Sequence, residues 1–162
     1  MNALFYLEMG FWLATAAIGF GVLFNVPKRT LGMIALLAAI GGLSKLILMH
    51  YNVHIVLSSF VGATIIGFLS IQAAHGKHAP PLVFSIPAVI PMIPGAFAYK
   101  SMLGFIKLTG DIHASTYDIA LDETINNGIK AAFIVLSLTA GVSLPMLISR
   151  KNSAKHIKYT KK

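Results

Sequence analysis

Long apolar runs separated by short polar connections dominate this chain: Ala3 to Val26, Leu31 to Met49, Ile55 to Ala74, Leu82 to Ile106 and Ile129 to Ser149 each carry at most one charged residue. A bilayer core about 30 Å thick is crossed by about 20 apolar residues of helix, a length each run meets. None alternates apolar and polar positions for long enough to suggest a barrel strand. The pattern therefore predicts an all-α, polytopic membrane helix bundle of about five transmembrane helices. Residues 1–149 form one integral membrane domain, followed by a basic tail at 150–162.

The fourth run interrupts itself. Within "VFSIPAVIPMIPGAFAYKSM" stand Pro87, Pro91 and Pro94, followed at once by Gly95. Their spacing places the prolines on one face of a nominal helix. Each removes an amide donor and crowds the carbonyl one turn back. Hydrocarbon cannot satisfy the freed carbonyls, so another helix, water or a solute must. Discontinuous helices in transporters have this form, and the start of the second half-helix presents amides and a positive dipole to an anion. With Pro94 in its first turn, the half from Gly95 onward would be such an end. A proline kink covered by neighbouring helices is the plainer alternative.

Composition agrees with the membrane reading, with 56% hydrophobic and 11% charged residues. The opening "MNALFYLEMG" lacks the basic region of a cleavable signal, so the first run is expected to be a retained span. Net charge is +8, but the surplus lies beside the spans, which argues against nucleic acid as a partner and for retention of lysine and arginine in the cytoplasm. Lys28 with Arg29, Lys77, and the tail residues Arg150, Lys151, Lys155, Lys158, Lys161 and Lys162 occupy alternate connections. The others, His50 to His54 and Lys107 to Gly128, hold a single lysine together with Asp111, Asp118, Asp122 and Glu123. An inner-membrane protein with its N-terminus outside and its tail in the cytoplasm is expected.

Ionisable residues inside spans are expensive and therefore candidates for function. Glu8 and Lys45 fall toward the same side and form a candidate neutralising pair, with Glu8 alternatively a proton acceptor. Lys100 is placed to balance a substrate carboxylate, or to anchor at the interface. His50 with His54 and His75 with His78 lie in connections without a carboxylate or cysteine to complete a metal shell, and no metal or other cofactor is expected. With no cysteine and no recognisable nucleophile set, the chain does not read as an enzyme. Gly19, Gly21, Gly41, Gly42, Gly62, Gly67 and Gly141 suit close helix approach, and Ser58, Ser59, Thr64, Thr139 and Ser143 suit hydrogen bonds across helices. Such density implies protein cover on several faces, from an oligomer or a partner chain. Ser115 and Thr116 ahead of Ile119, Leu121 and Ile125 suggest a short amphipathic helix that Gly128 ends.

The run "SIPAVIPMIPGAFAYKSM", preceded by Pro80 and Pro81 and followed by a last span ending "SLPMLISRK", resembles the small membrane subunit of the threonine/serine exporter family, over essentially the whole chain. The resemblance implies a subunit of a secondary exporter of small carboxylate-bearing metabolites, threonine and serine or dicarboxylates such as succinate. It also implies a larger exporter-family subunit as partner. By residue it extends to Pro87, Pro91, Pro94, Gly95 and Tyr99, which with Lys100 make the expected substrate path. The alternative is a non-transporting assembly or scaffold subunit of a larger membrane complex.

Overall fold

The computed structural model of the chain describes residues 3–110 and 114–154, with side chains over residues 4–110 and 117–149. Asp111, the side chains of Ser115 and Thr116, those of Arg150 and Lys151, and the tail beyond residue 154 lie outside the described residues. The fold is all-α, with α1 (Ala3–Leu23), α2 (Leu31–His50), α3 (Ile55–Lys77), α4 (Pro81–Val89), α5 (Gly95–Leu108) and α6 (Ala114–Ala154). Four helices, α1, α2, α3 and α6, are long and apolar enough to cross a membrane. The α4 and α5 segments together make a fifth candidate span, bent by 55° at a short break. The fourth apolar run is thus a broken helix.

The first three helices end the same way. Asn25, Asn52 and His78 adopt left-handed backbone at φ 53°, 60° and 51°. Asn25 donates to the Val22 carbonyl and Val26 to that of Gly21, and Asn52 and Val53 repeat the pattern on Met49 and Leu48. This double bond satisfies the last carbonyls of a helix, and asparagine tolerates the left-handed conformation better than most residues with a Cβ. Histidines serve the connections as well: the His54 ring nitrogen Nδ1 accepts from the Val56 amide at 3.4 Å, capping the start of α3. Pro81 opens α4 at a position where its missing amide costs no helix hydrogen bond.

Glycine sets the packing. A Cβ on Gly62 would stand 2.6 Å from the Gly41 carbonyl oxygen, so α2 and α3 meet backbone to backbone. On the other side of α3, a Cβ on Gly141 would lie 2.7 Å from the Phe60 carbonyl, and one on Gly67 2.9 Å from that of Val142. Close approach of backbones is how helices associate where lipid supplies little hydrophobic drive. Gly42 likewise admits Leu13 of α1, whereas Gly19 is exposed and faces open space, contrary to its expected packing role. Phe84, Ile34, Leu37, Ile66 and Ile134 fill the centre, fully or almost fully buried. Outward faces are apolar, as lipid or a partner requires: Leu4, Leu7, Phe11 and Trp12 of α1 are all more than half exposed.

Hydroxyls behave differently from the expectation of bonds across helices. Ser58, Thr64 and Thr139 return their protons to carbonyls of their own or the preceding turn. In a dry helix this is the nearest acceptor, always within reach.

The last helix departs furthest from the expected layout. Gly128 does not end a short amphipathic helix; α6 runs through it for 41 residues, about 60 Å at helical rise, roughly twice a bilayer core. Gly128 is used instead for contact, since a Cβ there would sit 2.8 Å from Ser101 Oγ. Gly141 faces Ala63 while Gly67 faces Pro145, so α6 runs parallel to α3, and its stretch through Gly128 extends past the start of α3. There α5 folds back along α6, and Ser101, buried, donates to the Thr124 carbonyl at 3.0 Å. Removing that hydroxyl with Ser101→Ala is expected to cost about 1 kcal/mol, read as a lowered melting temperature of the detergent-solubilised chain.

Candidate functional site

The break in the fourth helix is built from its prolines. Pro87 lies inside α4, buried; Pro91 sits in a 3₁₀ turn, Ile90–Met92; Ile93 is extended at φ −60°, ψ 136°; and Pro94 caps the start of α5. From Pro81 through Met92 the chain rises only about 18 Å, short of a bilayer core of about 30 Å. If α4 starts level with the end of α3, the opening of the backbone therefore falls inside the bundle's span.

The broken segment is seated on α2 and α3. The methyl of Met92, itself buried, points at the bare backbone of Gly62, where a Cβ would come within 2.7 Å of it. Lys45 of α2 lies alongside, its Cβ at 3.4 Å from the same position, and its Nζ donates to the Met92 carbonyl at 3.1 Å. The freed carbonyl is thus held by an ammonium group from another helix. Lys45 does not pair with Glu8: its bond goes to Met92, and the Glu8 side chain is exposed on α1. The physical reason is geometric, because an opened backbone one helix away offers a carbonyl that needs a donor, while Glu8 faces outward.

At the start of α5, Gly95 donates to the Ile93 carbonyl at 2.9 Å and Phe97 to that of Pro94 at 3.1 Å, leaving only the Ala96 amide of this first turn without a backbone acceptor. Gly95 is exposed, has no positive φ and faces open space, so neither strain nor contact demands glycine there. Elsewhere on the helices that carry and seat the break, Ser59 of α3 and Ser85 of α4 are fully buried, and their hydroxyls have no hydrogen-bond partner. Ser59 stands one turn before Gly62; Ser85 stands two turns before Met92.

Tyr99 and Lys100 lie elsewhere. Both are exposed on α5, which packs mainly on α6. Lys100 opens instead onto a groove of about 520 Å³ between α5 and α6, with Lys107 on its own helix and Glu123, Asn127 and Lys130 on the facing one. The expected path residues therefore divide into two groups. Pro87, Pro91 and Pro94 shape the break, and Lys100 belongs to the hairpin groove. The residue whose partner sequence reasoning missed is Lys45. Its signal was its position in α2, less than two turns from the helix end and therefore compatible with an interfacial lysine; only the fold shows what it meets.

A polytopic helical bundle with a broken fourth helix has the architecture of a multi-pass membrane protein. Residues 10–148 match the family model described as threonine/serine exporter, ThrE, and the chain belongs to that family. It is 36% identical over 135 residues to an uncharacterized protein of Haemophilus influenzae, an alignment covering 83% of this chain and 44% of the relative. The chain thus spans less than half the length of that relative. No solved structure matches it.

Proposed function

We propose that this chain is the membrane subunit of a secondary exporter that moves small carboxylate-bearing metabolites, threonine and serine or dicarboxylates such as succinate, out of the cell. The observation that carries this reading is the opened fourth helix, seated in the bundle with its Met92 carbonyl held by the Lys45 ammonium group. Backbone unwound at that depth is tolerated where it is buried in protein or lines a cavity, and half-helix ends with a nearby cation suit a carboxylate. Pro87, Pro91, Pro94 and Gly95 form the inner part of the path. Tyr99 and Lys100 flank its outer part, toward the hairpin. The N-terminus is outside, the tail lies in the cytoplasm, and the membrane is the inner one, as the lysine and arginine distribution favours.

A larger exporter-family chain acts as partner. The exposed apolar faces of α1 and the greater length of the Haemophilus relative support a machine with more transmembrane helices than this chain supplies. The test is efflux of labelled threonine and labelled succinate from cells lacking native exporters, with this chain and the larger partner expressed singly and together. Efflux only from the pair is expected. The double variant Pro91→Ala, Pro94→Ala is expected to lower it by about an order of magnitude while the pair still co-purifies. Unchanged efflux would remove the broken helix from the mechanism; lost co-purification with lost efflux would favour a scaffold subunit.

A further inference from the structure

Building on the exporter reading, we propose that Lys45 is the substrate-binding cation, and that it takes the carboxylate by giving up the Met92 carbonyl. In the structure the ammonium group spends one of its donors on that carbonyl at 3.1 Å. The chain has five acidic residues; apart from Glu8 they all lie at or beyond residue 111, and the Glu8 side chain is exposed on α1. No carboxylate among the described residues therefore offsets the charge on Lys45. A cation kept in a helix bundle without a counter-charge is costly, and an apolar residue packed against Gly62 would cost less. Retaining lysine here makes sense where an anion arrives during the work of the protein.

The exchange is favourable in the required direction. The ammonium already makes a charge-assisted bond to the carbonyl; a carboxylate keeps such a bond and adds the attraction of an opposite full charge, which a low surrounding dielectric strengthens. Loss of the Lys45 bond frees Met92, and with it the 3₁₀ turn that seats the break on Gly62. The bond is therefore both lock and receptor.

The chain contains no cysteine, so Ile93→Cys, at the extended residue of the break, gives a single labelling site. The experiment measures its reaction with N-ethylmaleimide in membranes holding the full chain and its partner, with threonine, succinate or threonine amide added, alongside efflux kinetics. In the Lys45 parent, threonine or succinate is expected to change the labelling rate at least about twofold, and threonine amide, lacking the carboxylate, to leave it unchanged. Lys45→Gln keeps a donor for the Met92 carbonyl without the charge. It is expected to abolish the response and to raise the half-saturating concentration for efflux about ten- to a hundredfold. Lys45→Arg, which keeps the charge, retains a response. A substrate response in Lys45→Gln equal to the parent's overturns the proposal, as does the absence of any response in a parent that exports normally; in both cases the exporter reading stands. A parent pair that exports nothing removes that reading and the exchange with it.

Discussion

Replacing Gly62 by leucine is expected to abolish export and to lower the stability of the chain by at least about 3 kcal/mol, the upper part of the range for overpacked cores. A side chain at this position would run into the Gly41 carbonyl at 2.6 Å on one side and the Met92 methyl at 2.7 Å on the other. The two collisions differ in kind. Met92 is the end of a flexible side chain and can turn away, but the Gly41 carbonyl is helix backbone and cannot yield without parting α2 from α3. Gly62→Ala meets both collisions as well, since both distances are to the Cβ itself, but it adds no atoms beyond that methyl. It is expected to part α2 from α3 by less than leucine does, to lower stability by less, and to weaken the hold of Lys45 on the break as Met92 leaves its seat. Thermal unfolding in detergent and efflux from the paired chains check both variants. A leucine variant that melts and exports like the parent would show that the seat of the broken helix is not where the structure puts it.

The same contact shows what was legible in the sequence. Apolar run length alone gave five spans, because a bilayer imposes a length on any helix that crosses it. The broken fourth helix was legible too, since proline lacks an amide wherever it stands. The use of the break was not, because it depends on which helix lies beside Met92. Lys45 and Met92 are 47 residues apart, and no local pattern relates them. Glycines were readable as small but not as located. Gly41, Gly62 and Gly67 lie in backbone contacts, while Gly19 and Gly95 face open space, with nothing in their neighbouring residues to tell them apart. The α6 helix failed for a related reason. Ser115, Thr116 and the apolar residues after them read as a short amphipathic helix that Gly128 ends, whereas the helix continues through Gly128 where α5 packs along it.

That cover makes the hairpin separable from the bundle, which sets the second expected result. Gly104→Leu should detach α5 from α6 while leaving α1 to α4 in place. Even a Cβ on Gly104 collides with the Thr124 hydroxyl, and this is the hydroxyl that bonds back to the Ala120 carbonyl. Three features hold the two helices together in one short stretch: Gly104 against Thr124, Ser101 bonded to the Thr124 carbonyl, and Gly128 against Ser101. An intruding leucine disturbs all three, and α5 has little other packing to hold it. Freed, it pivots at Ile93 and Pro94, where the backbone is already out of helix. Nitroxides on Leu103→Cys and Ala120→Cys, which flank the hairpin groove, would report this as a narrow distance distribution in the parent and a broad, longer one in the variant. Export is expected to fall about tenfold or more, because a helix that no longer points along α6 cannot keep Lys100 and Lys107 opposite Glu123 and Lys130 at the outer part of the proposed path. A broadened hairpin with undiminished export would separate the two sites, leaving transport to the break at Lys45 and Met92 and giving the groove no part in it.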